Sequence, residues 1–308
     1  MGIVYRIFKF GFIELALKRN TFAAVSGLSI LFASLVGINF SLMLIYPEGL
    51  FLDAVGRRMY FLGIGNSMTL YVIHGMNFIV LRYILSKKAF WLQLVVFFTI
   101  SMMTFRLVTS DTGLVVVTLF LIIFILWRYI TDFKYRFFRF SILFSLFLIL
   151  QVALVFFQVT LLLEGVGEDF NYILSGRTYV WSEGMKMFWE SPLFGYGRLN
   201  GGRLIPIPGS AQTWGTNNPM EVWAAHNAGL QLMLEMGLVG VLLLSWLFFE
   251  TARSLKKIVE TKEASLIAVG LFAVLVSGLT EGNDIFMLIL AVIVAINVGN
   301  ATRVKYGY

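Results

Sequence analysis

The chain has 308 residues, of which 59% are hydrophobic and 13% are charged, and its mean hydropathy is +0.84. Soluble domains contain about half apolar and about a quarter charged residues, so this composition excludes an ordinary soluble domain. It indicates an all-α, polytopic transmembrane helical bundle. The absence of cysteine excludes disulfides, thiolate nucleophiles and Cys-ligated metal centres, and the net charge of +7 has to be interpreted from where the basic residues lie.

Eight apolar runs have the length that a helix needs to cross about 30 Å of hydrocarbon. They are residues 21–46, 67–86, 89–109, 112–131, 140–163, 226–249, 264–282 and 285–300. The predicted organisation is a cytoplasmic segment 1–20, five helices within 21–163, a large extracytoplasmic loop 164–225, three helices within 226–300 and a cytoplasmic tail 301–308.

The basic residues are distributed unequally between the alternate connections. With both termini in the cytoplasm, 16 of the 24 basic residues and only five acidic residues lie on the inner side. An excess of lysine and arginine on the cytoplasmic side is the usual topology signal of membrane proteins. The distribution of the basic residues therefore predicts the orientation in the membrane, and it explains the net positive charge without a nucleic-acid partner.

The loop 164–225 contains a predicted amphipathic helix within SGRTYVWSEGMKMFWESPLFGYG, with Ser175 as a typical N-cap and Pro192 as its end. We expect it to lie on the outer membrane surface, where tryptophans also act as interface anchors. Its apolar stripe is Trp181, Met185, Phe188 and Trp189, and its polar face is Glu183, Lys186 and Glu190. The glycine-rich segment LFGYGRLNGG that follows predicts a tight loop with backbone N–H groups available to an acceptor.

The two histidines differ in their setting. His74 lies within a span, where a buried histidine hydrogen-bonded to a neighbouring helix is the expected role. His226 lies at the outer boundary, directly after the polar loop, where an imidazole titrating near neutral pH can accept a proton from a hydroxyl. His226 is therefore the candidate general base.

In an ideal helix, several small or apolar residues share a face with His226 and predict close packing of another helix beneath it. They are Leu230, Met233, Gly237 and Gly240. Glu235 points the opposite way, so its expected role is a buried acid paired with another helix rather than a partner of His226.

Arg177 stands at the start of the amphipathic helix. It either extends along the interface to water or uses its planar guanidinium to bind a phosphate. The loop holds six acidic and four basic residues, so an anion has to be bound by individually placed arginines. The other outer arginines are Arg57, Arg58, Arg106, Arg198 and Arg203.

The combination of SGRTYVW and SPLFGYG with HNAGLQLMLEMGLVG, which begins 49 residues after Arg177, resembles the signature of the O-antigen polymerase and ligase superfamily of bacterial envelope glycosyltransferases. The stretches GRRMYFLGIGNSMTLYV and TSDTGLVVV also resemble family segments. The resemblance covers roughly residues 30–300 and is strongest in the loop and the helix after His226.

The resemblance implies a GT-C-like fold in the bacterial cytoplasmic membrane. It implies metal-independent, inverting transfer of a saccharide from an undecaprenyl-diphosphate carrier to a sugar hydroxyl on the outer side, without a cofactor. His226 would be the general base, and Arg177 would bind the diphosphate. The expected partners are the lipid-linked oligosaccharide, the bilayer, and flippase and chain-length regulator proteins. Further substrate-binding candidates are Arg106, Arg198, Arg203, Trp181, Tyr196 and Asn227.

Two features depart from the family pattern. Many members have an arginine after the serine of the upstream motif, whereas Asp111 follows Ser110 here, and Arg106 one helical turn earlier is the candidate substitute. Members also commonly have ten or more spans, so eight predict a short or N-terminally truncated member.

The principal hypothesis is a polymerase that joins oligosaccharide repeat units into O-antigen, capsular or exopolysaccharide. A ligase that transfers the finished glycan to another acceptor would use the same residues. A flippase for lipid-linked oligosaccharides would need ionisable residues along a route through the spans, and Arg82, Glu235 and His74 are the main ones present. A non-catalytic scaffold would make the loop residues dispensable.

Overall fold

The computed structural model describes residues 15–52, 58–63, 67–86, 91–108, 110–127, 139–155, 177–197, 205–207, 220–222, 224–256, 262–280 and 285–306. Within these ranges the chain is mainly helical. The long helices are α1 (Thr21–Ile45), α2 (Ser67–Ser86), α3 (Trp91–Leu107), α4 (Asp111–Trp127), α5 (Phe140–Val155), α6 (Arg177–Glu190), α7 (Ala228–Lys256), α8 (Lys262–Thr280) and α9 (Ile285–Tyr306).

Two short antiparallel pairs interrupt the helices. Strand β1 (Phe51–Leu52) pairs with β2 (Arg58–Met59), with Phe51 opposite Met59. Strand β3 (Ile205–Ile207) pairs with β4 (Met220–Val222), with Ile205 opposite Val222. Strand β4 ends at Val222, five positions before Asn227, the residue that precedes α7.

Each of the eight predicted spans overlaps one helix, and the all-α membrane character is confirmed. Among the described residues, four helices are long and apolar enough to cross a membrane, namely Thr21–Ile45, Ser67–Ser86, Ala228–Lys256 and Met287–Val304. Four shorter apolar helices are Leu92–Leu107, Gly113–Ile122, Phe140–Val155 and Glu263–Leu279. That all eight cross the bilayer stays a prediction.

The chain divides into two compact units. The first comprises Met1–Leu143, Glu250–Ser277 and Phe286–Tyr308, and the second comprises Phe144–Phe249 and Gly278–Ile285. The segments that carry His226 and Arg177 both belong to the second unit.

In the first unit, α1 packs against α2 through one face and leaves its other faces apolar but exposed. The buried positions of α1 recur every three or four residues and are Val25, Ser29, Phe32, Val36, Asn39 and Met43. The exposed positions include Ile30, Leu31, Ile38 and Leu44. Only 28% of the apolar window of α1 is buried, against 72% in α2, so α2 is the interior helix and α1 has a surface suited to lipid.

The prediction for His74 is confirmed. Its side chain is completely buried in α2, and its two ring nitrogens lie 2.7 Å from the Leu70 carbonyl oxygen and 2.9 Å from that of Met287 in α9. Phe32 stacks on the ring at a centroid distance of 6.2 Å. His74 therefore joins two helices of the first unit.

The second unit has its own apolar core, formed by one face of α6, the end of α5, β3 and the first turns of α7. The core residues are Val155, Val180, Trp181, Met185, Met187, Phe188, Ile205, Ala225, Leu230, Met233 and Leu234. Gly184 brings α6 close to α7, because a Cβ there would lie 3.0 Å from the Leu230 side chain. Burying a large apolar side chain stabilises a fold by roughly 1.5–3 kcal/mol, so this core holds α6 to the start of α7.

Candidate active site

The amphipathic helix α6 has the predicted apolar stripe, but the stripe packs against the protein and not against a membrane surface. Trp181, Met185 and Phe188 are 0%, 8% and 2% exposed, whereas Trp189 is 66% exposed. The expectation that these four side chains face lipid together is therefore wrong. The reason is that α7 and β3 cover the stripe, while Trp189 lies beyond the covered face.

Trp181 holds the peptide group that precedes His226. Its indole N–H donates a 2.9 Å hydrogen bond to the Ala225 carbonyl, and both side chains are completely buried. The N–H of Ala225 donates to Gln231 Oε1 over 2.7 Å. Both polar groups of this residue are thus fixed before the chain reaches His226.

Asn227 fixes the chain on the other side of His226. Its Oδ1 accepts a 2.9 Å hydrogen bond from the Leu230 N–H, so Asn227 is the N-cap of α7. Its amide also donates over 3.0 Å to the Leu279 carbonyl and exchanges hydrogen bonds with the Gln151 side chain. These contacts use the whole amide of a side chain that is completely buried.

His226 itself has a φ of 49°, and among the residues that the structure describes it is the one non-glycine residue with a positive φ. The left-handed conformation costs a non-glycine residue about 1 kcal/mol or more, although histidine tolerates it better than most. The fixed residues on each side, Ala225 and Asn227, offset that cost. The side chain of His226 is half-buried, so part of it is exposed at the surface just before the start of α7.

The loop after α6 inserts its backbone into a break in α7. Gly237 has φ 60° and ψ −157°, which interrupts α7, and Gly195 of the loop has φ 67°. A Cβ on Gly237 would meet the Leu193 carbonyl, and a Cβ on Gly195 would meet the Leu234 carbonyl, so only glycine fits at either position. We call residues 192–197 together with 234–239 the glycine junction.

Four backbone hydrogen bonds close the glycine junction, two in each direction. They run from the Tyr196 N–H to the Leu234 carbonyl (2.7 Å), from Gly197 to Glu235 (3.0 Å), from Leu238 to Pro192 (2.8 Å) and from Val239 to Leu193 (3.2 Å). Of the predicted tight loop, residues 193–197 are described, and the N–H groups of Tyr196 and Gly197 donate to carbonyls of α7. The prediction that Gly237 receives a packed helix is wrong, because a loop occupies that place.

Tyr196 and Glu235 extend this junction with their side chains. The Tyr196 hydroxyl donates over 2.7 Å to the Met187 carbonyl and over 3.2 Å to Glu190 Oε2. Glu235 Oε1 accepts a 2.8 Å hydrogen bond from Gln231 Nε2, one turn earlier in the same helix. The sequence predicts that Glu235 pairs with a residue of another helix, but the partner observed is Gln231 of the same helix.

Arg177 begins α6 and is 9% exposed. It precedes Trp181 by four residues, so the two side chains share one face of the helix, with Cβ atoms about 5–6 Å apart by helical geometry. Since Trp181 is hydrogen-bonded to Ala225, the helix that begins with Arg177 is bonded to the residue beside His226. One scaffold therefore carries both candidate catalytic residues.

Residues 94–245 match a family model described as O-antigen ligase. The matched segment is similar to that family. Among curated proteins and among solved structures, no match was found. The match confirms the resemblance indicated by the motifs, over residues 94–245 and not over the whole range of roughly 30–300.

The O-antigen ligase segment contains the two candidate catalytic residues and the complete glycine junction. It also contains Arg106, which is exposed in the last turn of α3 and belongs to the first unit. Ser110 is buried before α4 and its hydroxyl accepts from the Gly113 N–H over 3.4 Å. Ser175, Arg198 and Arg203 lie outside the described residues, so their predicted roles stay predictions.

One polar residue of the O-antigen ligase segment escaped the sequence reasoning. Gln151 lies in the apolar run of α5 and pairs with Asn227 in the second unit. A glutamine in the middle of a hydrophobic span is a signal for a specific buried partner. In the part of the chain that the structure describes, no group of three or more His, Asp or Glu side chains is arranged to hold a metal ion.

Proposed function

We propose that the chain is a membrane glycosyltransferase that transfers a saccharide from an undecaprenyl-diphosphate carrier to a sugar hydroxyl at the outer side of the bacterial cytoplasmic membrane. The transfer is metal-independent and inverts the anomeric centre. The observation that carries the proposal is His226, a histidine fixed on both sides in a left-handed conformation within the O-antigen ligase segment.

His226 acts as the general base in this proposal. It takes the proton of the acceptor hydroxyl as the hydroxyl oxygen forms a bond to the anomeric carbon, and the bond from that carbon to the diphosphate oxygen breaks. Displacement from the opposite face inverts the configuration. The proton then passes from the imidazolium to water or to the departing diphosphate, which returns the base to its starting state.

Arg177 stabilises the departing diphosphate. Negative charge grows on that group as its bond to the sugar breaks, and a guanidinium with little exposure to water stabilises such charge by several kcal/mol. Its burial at the start of α6 supports this role over an arginine that only reaches along the interface. Arg106, Arg198 and Arg203 are the additional candidates for the anionic part of the donor.

The acceptor decides between two reactions of this one class. Polymerisation, in which the acceptor is another lipid-linked repeat unit, is the principal form, and flippase and chain-length regulator proteins are its expected partners. Ligation of a finished glycan to a different acceptor is the second form, and the description of the matched family as O-antigen ligase favours it. A flippase has no comparable support, since the spans hold few ionisable residues.

The test is complementation of a cell that lacks the protein by matched variants. His226→Asn retains a residue that adopts the left-handed conformation but removes the base, and Arg177→Lys retains the charge but removes the planar fork. We expect both to reach the membrane at normal amounts and to yield no product. Arg253→Lys, at a well-exposed arginine of α7, is the control and should yield normal product.

The glycans that accumulate distinguish the two reactions. Lipid-linked single repeat units in the cell without the protein would identify a polymerase, and full-length chains that stay on the carrier would identify a ligase. A normal product from His226→Asn would remove His226 from the chemistry. A normal product from Arg177→Lys would remove the diphosphate role of Arg177.

A further inference from the structure

The end of α6 and the turn after it expose three large apolar side chains. Trp189 is 66% exposed, Leu193 is 58% exposed and Phe194 is 72% exposed. We call residues 189–194 the apolar turn. A side chain of this size costs free energy when water surrounds it, so the cluster indicates a surface that another apolar phase covers.

The apolar turn is attached to α7 where an exposed apolar strip of that helix begins. The N–H groups of Leu238 and Val239 donate to the carbonyls of Pro192 and Leu193, and both donor residues are themselves exposed apolar residues. The strip continues along α7 through Leu242, Leu243, Trp246 and Phe249. The turn and the strip therefore form one continuous apolar surface.

The length of α7 relates this surface to the thickness of a bilayer. Lys256, in the basic last turn of α7, lies 19 positions after Gly237, as 256 − 237 gives. At about 1.5 Å per residue this stretch is about 28 Å long, close to the roughly 30 Å of the hydrocarbon core. With the basic end at the inner boundary, the break at Gly237 and the apolar turn lie at the outer boundary.

Part of the backbone of the turn is hydrogen-bonded within the protein, which suits surroundings that contain little water. Ser191 and Gly195 donate their N–H groups to the Phe188 and Ser191 carbonyls, and the Gly195 carbonyl accepts from the Ser191 hydroxyl over 3.0 Å. Pro192 has no N–H to satisfy. Within the hydrocarbon core, non-helical backbone is tolerated only where its polar groups have such partners, so these bonds lower the cost of placing the turn at the interface.

We propose that the apolar turn inserts into the outer interface of the lipid bilayer, with Trp189, Leu193 and Phe194 as its lipid contacts. The occupant is lipid because the turn continues the exposed apolar strip of a helix long enough to span a membrane. Insertion would hold the glycine junction, and the scaffold of His226 above it, at a fixed depth. The sequence pattern predicts this contact for the whole stripe of α6, of which Trp181, Met185 and Phe188 lie in the core of the second unit and Trp189 is exposed.

The experiment uses the full chain, which has no native cysteine, in nanodiscs of phosphatidylethanolamine and phosphatidylglycerol. A nitroxide is placed at Phe194→Cys, and a matched nitroxide at Lys186→Cys, on the side of α6 where Lys186 is exposed and pairs with Glu183. Collision rates with oxygen, which partitions into lipid, and with a water-soluble nickel chelate report the surroundings of each label.

We expect the oxygen to nickel ratio at position 194 to exceed that at position 186 several-fold. An equal or lower ratio at 194 would overturn the proposal. Spin–spin broadening at 194 in discs that hold two copies, absent on dilution with unlabelled protein, would also overturn it, because a second copy would then cover the turn. Leu193→Cys repeats the measurement if the first variant fails to fold, and the same ratio is expected there.

Discussion

The indole nitrogen of Trp181 lies 2.9 Å from the carbonyl oxygen of Ala225, although 44 positions separate the two residues. This bond joins the helix that starts with Arg177 to the residue that precedes His226. The candidate base is thus held by a buried side chain from a distant segment and not by its own helix alone. It follows that Trp181 helps to determine where the imidazole is presented.

Trp181→Phe should lower the free energy of unfolding by about 1 kcal/mol, the usual net contribution of one buried hydrogen bond, with some added loss for the smaller ring. The rate of product formation should fall by more than the loss of folded protein accounts for, because the Ala225 carbonyl loses its hydrogen bond from Trp181. Thermal unfolding of the purified protein and a transfer assay measure the two effects. Trp189→Phe, at an exposed site, should change stability by less than about 0.5 kcal/mol.

Three glycines allow the cost of a positive φ to be separated from the cost of a steric clash when each is replaced by alanine. Gly237→Ala combines a backbone that only glycine adopts readily with a clash against the Leu193 carbonyl, and it should cost at least about 3 kcal/mol. Gly197→Ala has a φ of 76° but open space, and should cost about 1 kcal/mol. Gly27→Ala, helical and unobstructed, should stabilise by about 0.5–1 kcal/mol.

Thermal midpoints of these three variants give the order directly. A midpoint for Gly237→Ala at or above that of Gly197→Ala would mean that the loop can leave the break in α7 without cost. The glycine junction would then not be a structural element of the site.

Asn227→Ala should act on stability and leave substrate affinity unchanged. The substitution removes the cap of α7 and leaves Gln151 with an unsatisfied buried amide, which together cost about 2–4 kcal/mol. Asn20→Ala is the matched control, since Asn20 caps α1 at an exposed position and should cost about 1 kcal/mol. A raised KM at an unchanged thermal midpoint would instead identify Asn227 as the substrate contact that the sequence suggested.

The orientation predicted from the charges can be measured because the chain has no cysteine. A thiol from Ser210→Cys in the large loop should react with a membrane-impermeant reagent added to intact cells. A thiol from Lys256→Cys at the other end of α7 should react only after lysis. The reverse pattern would invert the proposed topology and place the site in the cytoplasm.

The sequence predicted the helices well because their apolar runs are long and continuous. Most predicted ends fall within a few residues of the observed ones, as with residues 67–86 and α2. The predicted span 226–249 includes Asn227, although asparagine before an apolar run is a typical N-cap signal. Starting the helix at the cap would have placed His226 outside it.

The interruption of α7 could not be predicted because no residue next to Gly237 in the sequence requires a break in the helix. A glycine in an apolar run fits a helix that packs closely on another, and Gly237 departs from helical geometry only because residues 192–197 supply partners for the exposed backbone groups. For the same reason the stripe of α6 predicted a membrane contact. Periodicity identifies the face that is buried but not what covers it.

The glycine junction also limits how this part of the chain can be exchanged between relatives. Its hydrogen bonds connect main-chain atoms in two segments about 40 positions apart, and each segment needs its own glycine to admit the other. A chimaera that receives residues 192–197 from one parent and 234–239 from another will keep the joint only if both parents build the same backbone path. The unit to exchange between relatives is therefore the whole stretch from α6 to the middle of α7, not the loop alone.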